Sequence, residues 1–148
     1  MCAAAFAAIS IFASCSKEDG GSSYNPADLV GVWREVKSVY YEKENGRWTV
    51  VREVVFKEEY PDEEPWVLSL SADGLYSETL LEYAFDDWDG YYKVINNILY
   101  LYWDKDMTNE EIIEEGDAEH IEVLTDTTLV LAEYDDDSKY EMHYVRVY

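Results

Sequence analysis

The sequence predicts an all-β chain: an antiparallel meander of about eight or nine short strands, closed as a barrel or packed as a sandwich, with one short helix. Three observations carry this. Short apolar stretches with period-two alternation recur between clusters of Gly, Asn, Asp and Pro. The 148 residues include 14 Tyr and 5 Trp, types whose flat rings pack well on a pleated, half-buried surface. No connecting stretch is long enough for the crossover helix that parallel strands would need. With 48% hydrophobic and 16% aromatic residues, the chain has the apolar material for one core.

The first predicted strand, 29–41, leads to Glu44-Asn45-Gly46, whose Asn-Gly pair supplies the positive φ angles of a tight hairpin. The second, 47–56, is rich in Val. Residues 58–65 are acidic and hold two of the three prolines, so a loop is expected there. Strand 66–71 turns at Ala72-Asp73-Gly74 into 75–85. Asp86-Asp87-Trp88-Asp89-Gly90 is the next turn, followed by 91–95, Asn96-Asn97 and 98–103. Strands 118–124, 127–134 and 139–148 complete the meander. Between them, 109–115 is the helix candidate. Thr108 can cap it, Glu111 stands where a capping box needs a carboxylate, and Gly116 can end it. Two turns cannot stand alone in water, so Ile112 or Ile113 must pack on the barrel.

Residues 1–14, MCAAAFAAISIFAS, form an uncharged apolar run too short to span a bilayer. They read as the apolar part of a secretory signal. The basic leader expected before such a run is missing, so we expect the true start to lie upstream. Phe12-Ala13-Ser14-Cys15 resembles a bacterial lipobox, with Phe12 where an aliphatic residue is usual. Ser16-Lys17-Glu18-Asp19 resembles the lipoprotein export signal of Bacteroidota. The resemblance implies lipidation at Cys15 and transfer to the outer face of the outer membrane. Residues 15–27, with Gly20-Gly21-Ser22-Ser23, would then be a lipidated cysteine and flexible tether, spanning under roughly 20 Å. The folded domain is expected over 28–148.

Within that domain, Gly31-Val32-Trp33 opens the first long strand and Arg146 lies in the last. Gly-x-Trp near the start of such a meander is similar to the lipocalin signature, and the resemblance implies a lipocalin-like antiparallel up-and-down β-barrel. The resemblance implies that Trp33 sits under the closed end of the barrel with Arg146 stacked on it, and that Gly31 permits close approach of chain. The hairpin at 68–76 and the pair 90–94 with 97–101 look like those of lipocalin-like lipoproteins of Bacteroidota. The second lipocalin motif, built around Thr-Asp-Tyr, is not recognisable, so the resemblance is to the barrel and not to the transport lipocalins.

Alternation points Leu68, Leu70, Tyr76, Tyr92, Val94, Leu99, Leu101, Leu129, Leu131, Met142 and Tyr144 inward. As a set they are either the lining of a pocket for a small hydrophobic or amphiphilic ligand or plain core. In the second case the filled barrel would display aromatics such as Trp48, Trp66 and Trp88 to a protein or glycan.

The net charge of −22 opposes binding to phosphate backbones and to anionic membrane surfaces. Both cysteines, Cys2 and Cys15, precede the domain, so it has no disulfide, thiolate metal site or catalytic thiol. His120 and His143 lie outside any metal or nucleophile motif, and neither is expected to be catalytic. The acidic loops lack calcium-loop spacing: Phe85 stands where the first ligand would precede Asp87, and Asp104-Lys105-Asp106 lacks the central glycine. Asp135-Asp136-Asp137 serves a turn. No phosphate loop, nucleophile elbow or cofactor fingerprint occurs. We therefore expect a non-enzymatic protein with no cofactor and no metal.

Overall fold

The computed structural model describes residues 24–84 and 88–147. Nine strands run in chain order: β1 (Gly31–Glu44), β2 (Arg47–Val55), β3 (Trp66–Leu70), β4 (Leu75–Leu80), β5 (Gly90–Ile95), β6 (Ile98–Tyr102), β7 (Asp117–Leu124), β8 (Thr128–Tyr134) and β9 (Ser138–Arg146). All pairings are antiparallel, in the order β2-β1-β3-β4-β5-β6-β7-β8-β9, and β1 also pairs with β9. Setting aside β2, which pairs only with β1, eight strands close into a barrel.

The long first strand makes this arrangement. Gly31 to Arg34 pair with β3, and from Lys37 onward the same edge pairs with β2. The other edge of β1 runs along β9 from Trp33 to Glu42. The β1–β2 hairpin therefore rises past the ring, and β2 is exposed over most of its length. Its tip is the Asn45-Gly46 turn, with φ of 52° and 76°, the conformation that matches the twist of two antiparallel strands. Asn96-Asn97 makes the equivalent turn between β5 and β6, at 52° and 62°.

Several bounds differ from expectation for local reasons. The first strand starts at Gly31 because Pro26–Leu29 is a 3-10 turn capped by Asn25, whose side chain accepts from the Ala27 N–H. It continues to Glu44 because the hairpin stays paired up to its turn. The strand expected over 75–85 stops at Leu80, where Leu81–Tyr83 turns as a 3-10 helix. The first two residues of the loop expected over 58–65 belong to a single helical turn, α1 (Phe56–Glu59), on which Tyr60 closes by donating its N–H to the Phe56 carbonyl. The predicted helix is present as α2 (Asn109–Glu115), with the Thr108–Glu111 capping box formed in both directions. Ile112 is the residue that packs inward, at 1% exposure against 49% for Ile113.

At one end the barrel is closed by the first and last strands. Trp33 is fully buried and donates its indole N–H to the Leu29 carbonyl at 2.7 Å. The Arg146 guanidinium lies 4.0 Å from the Trp33 ring centroid and donates to the carbonyls of Val30 and Asp126 at 2.6 and 2.7 Å. Above this plug the core is assembled from Leu29, Leu68, Leu70, Tyr92, Leu99, Leu101, Ile121, Leu129, Leu131, Met142 and Tyr144, with Tyr76 and Val94 packed against it.

Gly90 shows how tightly the wall is built. A Cβ there would stand 2.5 Å from the Tyr102 carbonyl oxygen and 2.9 Å from the Tyr76 ring. The first contact is backbone, which cannot swing aside. Gly90→Ala should therefore lower stability by about 1–3 kcal/mol, read as a reduced urea midpoint with an unchanged slope. An unchanged midpoint would mean that β5 and β6 are less closely held than this.

A candidate binding cavity at the open end of the barrel

The interior changes character along its axis. Leu129 and Leu131 on β8 stand opposite Tyr144 and Met142 on β9, and the next inward pair is Glu133 with Tyr140. On β7, Ile121 is followed toward the open end by Glu119, which faces Leu99, and then by Asp117, which faces Leu101. On β1, Glu35 follows Trp33 and stands opposite Tyr144. On β4, Glu78 follows Tyr76 and pairs with Leu68. The same period-two alternation that fills the closed end with leucine thus brings carboxylates from β1, β4, β7 and β8 to the open end.

Two adjoining recesses occupy that end. One, of about 420 Å³, is lined by Glu35, Trp66, Tyr76, Glu78, Asp89, Met142 and Tyr144. The other, of about 390 Å³, is lined by Glu78, Leu101, Asp117, Ala118, Glu119, Glu133, Tyr134 and Met142. Glu78 and Met142 belong to both. Beside the first lies a more apolar groove of about 220 Å³ formed under α1 and the loop after it, lined in part by Val36, Val55, Phe56, Tyr60 and Pro65. Glu35 and Trp66 line the groove as well as the first recess.

The carboxylates are electrostatically unrelieved. Glu119 is 7% exposed, and one of its oxygens has no hydrogen-bond partner; one oxygen of Glu35 is likewise buried and unpartnered. Burial, and then the charges of Glu78, Glu133, Asp117 and Glu35, push the Glu119 carboxyl up to about 8. Burial and then Glu78 push Glu35 up to about 7. Glu78 is raised by burial and then by Asp89, Asp117 and Glu133. Each neighbouring charge that moves these three groups is another carboxylate. Neither recess is lined by a lysine, arginine or histidine.

The outer wall is the opposite case. Glu141 is held by Lys139 at 2.6 Å, by the Tyr41 hydroxyl at 2.8 Å and by His143 at 3.1 Å. Burial raises its pKa, but hydrogen bonds from His143, Lys139 and Tyr41 outweigh that and bring the carboxyl down to about 2. His143 is thereby a structural partner. His120 is exposed and sits edge-on to Tyr134, with ring centroids 4.9 Å apart.

Of the eleven inward residues read from the sequence, Tyr76, Leu101, Met142 and Tyr144 line the recesses. The other seven, Leu68, Leu70, Tyr92, Val94, Leu99, Leu129 and Leu131, lie in or against the packed core below. Trp33 and Arg146 meet at the closed end, and Gly31 pairs with Leu70 of β3. Cys15 and Ser16-Lys17-Glu18-Asp19 lie outside the described residues, as do Phe85, Asp86 and Asp87 of the acidic turn. Among the tryptophans expected to be displayed, Trp48 is 37% exposed on β2, Trp66, at 60%, stands at the cavity mouth, and Trp88 is half-buried. Trp103, at 62%, is more exposed than any of these. Among the described residues no three His, Cys, Asp or Glu side chains are placed to hold a metal ion.

Glu35, Glu78, Asp117, Glu119 and Glu133 were not read as site residues from the sequence, although each lies two positions from a residue that faces inward. The signal was present in the alternation. It was hidden among 33 acidic residues, and nearly all of those among the described residues sit where charge is expected, in water.

The chain matches no protein-family model, no curated protein and no solved structure. Among the described residues, no helix is long and apolar enough to cross a membrane.

Proposed function

We propose that this is a lipid-anchored surface lipoprotein, non-enzymatic, whose barrel binds a small amphiphilic molecule at its open end. The observation that supports this reading is the half-filled barrel: a packed apolar floor beneath an unfilled mouth that carries aromatic rings and polar atoms without partners. Ligand sites combine concave apolar surface with a few convergent polar groups in this way. The apolar groove beside the mouth offers room for the ligand's hydrocarbon part, and Trp66 is shared between the two. The runner-up, a filled barrel that displays aromatics to a protein or glycan, draws on Trp103 and on the exposed Val50 and Val51 of β2.

The anchor is the lipobox cysteine, Cys15. Cys15→Ser should abolish labelling by a palmitate analogue and release the protein from the membrane fraction; retention of label would refute the anchor. For the ligand, native mass spectrometry of the protein gently purified from its host should show a constant added mass that denaturation removes. A bare mass, with no small molecule shifting the thermal midpoint, would favour the display reading.

A further inference from the structure

Resting on the reading of the barrel as a binder, we infer that the polar end of its ligand is an organic cation of the alkylammonium type, held among Glu119, Glu35 and Glu78. Four strands each bring carboxylate to one opening, and no basic side chain lines it. Crowded acids alone would say little on a chain of net charge −22. The deciding observation is separate: Glu119 is more than nine-tenths buried, lines the recess, and has an oxygen with no partner. A buried carboxylate without a partner is costly to keep, and a cationic guest would supply the missing donor.

Several of the protein's own cations are engaged elsewhere, and Arg34 and Lys57 line the adjoining groove but neither recess. Arg52, on the hairpin, is paired with Glu59 at 3.2 Å and lies over the Tyr40 ring. Lys139 is bound to Glu141 on the outer wall, and Arg146 is bound at the closed end. A hard metal ion is the alternative cation, but it requires oxygens converged on one point, and among the described residues no three carboxylates are so placed. The carboxylates are instead spread around a wide opening, and Trp66, Tyr76 and Tyr144 face the same space. Aromatic faces with carboxylates suit an ammonium group that presents both N–H donors and alkyl surface.

The groups facing Glu119 and its neighbours are Glu35 from β1, Tyr76 and Glu78 from β4, Asp89 before β5, Asp117 on β7, Glu133 and Tyr134 from β8, and Tyr140 and Tyr144 from β9. Within the two recesses all are acids or phenols, while Arg34 and Lys57 stand in the adjoining groove that Glu35 also lines. Ionisation of Glu35 and Glu119 between neutral and mildly basic pH therefore strengthens the attraction for a cation, with no basic group in the cavity losing charge in the same range.

Isothermal titration calorimetry of the full chain at pH 8.5, with octylamine, octan-1-ol, octanoate and calcium chloride as separate titrants, tests this. Octylamine should bind at least tenfold more tightly than octanol, octanoate more weakly than either, and the amine affinity should fall severalfold at pH 6. Glu119→Gln should remove most of the preference for amine over octanol; Glu35→Gln gives an independent readout of the same loss. Equal binding of amine and alcohol, unaltered by either substitution, would overturn the cation and leave a binding barrel. Calcium that binds and displaces the amine would overturn it in favour of a metal. If no octyl compound binds, the binding reading itself fails.

Discussion

Trp33→Ala should remove about 3–5 kcal/mol of stability, a large part of the 5–15 kcal/mol typical of a domain. Trp33 has no solvent exposure, so its removal leaves a cavity bounded by Leu29 and the floor of the barrel. Its indole also ties the 3-10 turn to β1 through the Leu29 carbonyl. The substitution in addition strips the aromatic face from Arg146, whose guanidinium sits 4.0 Å away and joins the last strand to the Val30 and Asp126 carbonyls. The stacking contributes about 0.5–2 kcal/mol. Urea unfolding of Trp33→Ala, Arg146→Met and the double variant would separate packing from stacking. The double variant should cost less than the sum of the singles, since both remove the same contact. A loss below about 1 kcal/mol for Trp33→Ala would show that the barrel is not pinned at this end.

Glu119→Gln should stabilise the protein, and only at high pH. In the folded chain this carboxyl titrates at about 8, against 4.5 for the free group. Between those values the folded state holds a proton that the unfolded state has released, so stability falls as pH rises from 4.5 to about 8. At about 1.4 kcal/mol for each pH unit between them, the upper bound is roughly 5 kcal/mol. Water entering the mouth reduces the expected gain for glutamine at pH 9 to on the order of 3 kcal/mol. At pH 5 the two proteins should be nearly equal, because a protonated glutamate and a glutamine are both neutral. Glu35 adds a smaller slope of the same sign up to about 7. Glu141 acts oppositely: its depressed carboxyl contributes stability that is lost as pH falls below 4.5 toward about 2. Thermal midpoints of the unliganded wild type should therefore peak near pH 5 and decline to pH 9, with most of that decline absent in Glu119→Gln. A wild-type midpoint that is flat from pH 5 to 9 would mean that water reaches Glu119 freely and that its burial is only apparent.

The two predictions concern opposite ends of the barrel, which were unequally legible in the sequence. Trp33 and Arg146 could be placed because the lipocalin resemblance named a first-strand tryptophan and a last-strand arginine. The helix at Asn109–Glu115 could be placed because capping is local: Thr108, Glu111 and Gly116 lie within one short segment. The acidic mouth was written in the same alternation, as Trp33-x-Glu35, Tyr76-x-Glu78, Glu119-x-Ile121 and Leu131-x-Glu133. It was passed over because alternation in one strand says which residues share a face, not whether the far end of that face is filled, open or wet.

Strand identity, hairpin turns and the all-β class were determined by the sequence itself, since each depends on contacts within a few residues: alternation for the strand, Asn-Gly and Asn-Asn for the turn. Closure, register and the contents of the mouth were decided only by tertiary structure. The transfer of one edge of β1 from β3 to β2 is what leaves eight strands in the ring and lifts a hairpin beyond it. Meeting of Glu35, Glu78 and Glu119 requires three strands far apart in sequence to align in one register. Like charges repel at long range in the unfolded chain, so nothing local brings these carboxylates together. They are held there by the leucine floor and the Trp33–Arg146 closure beneath them.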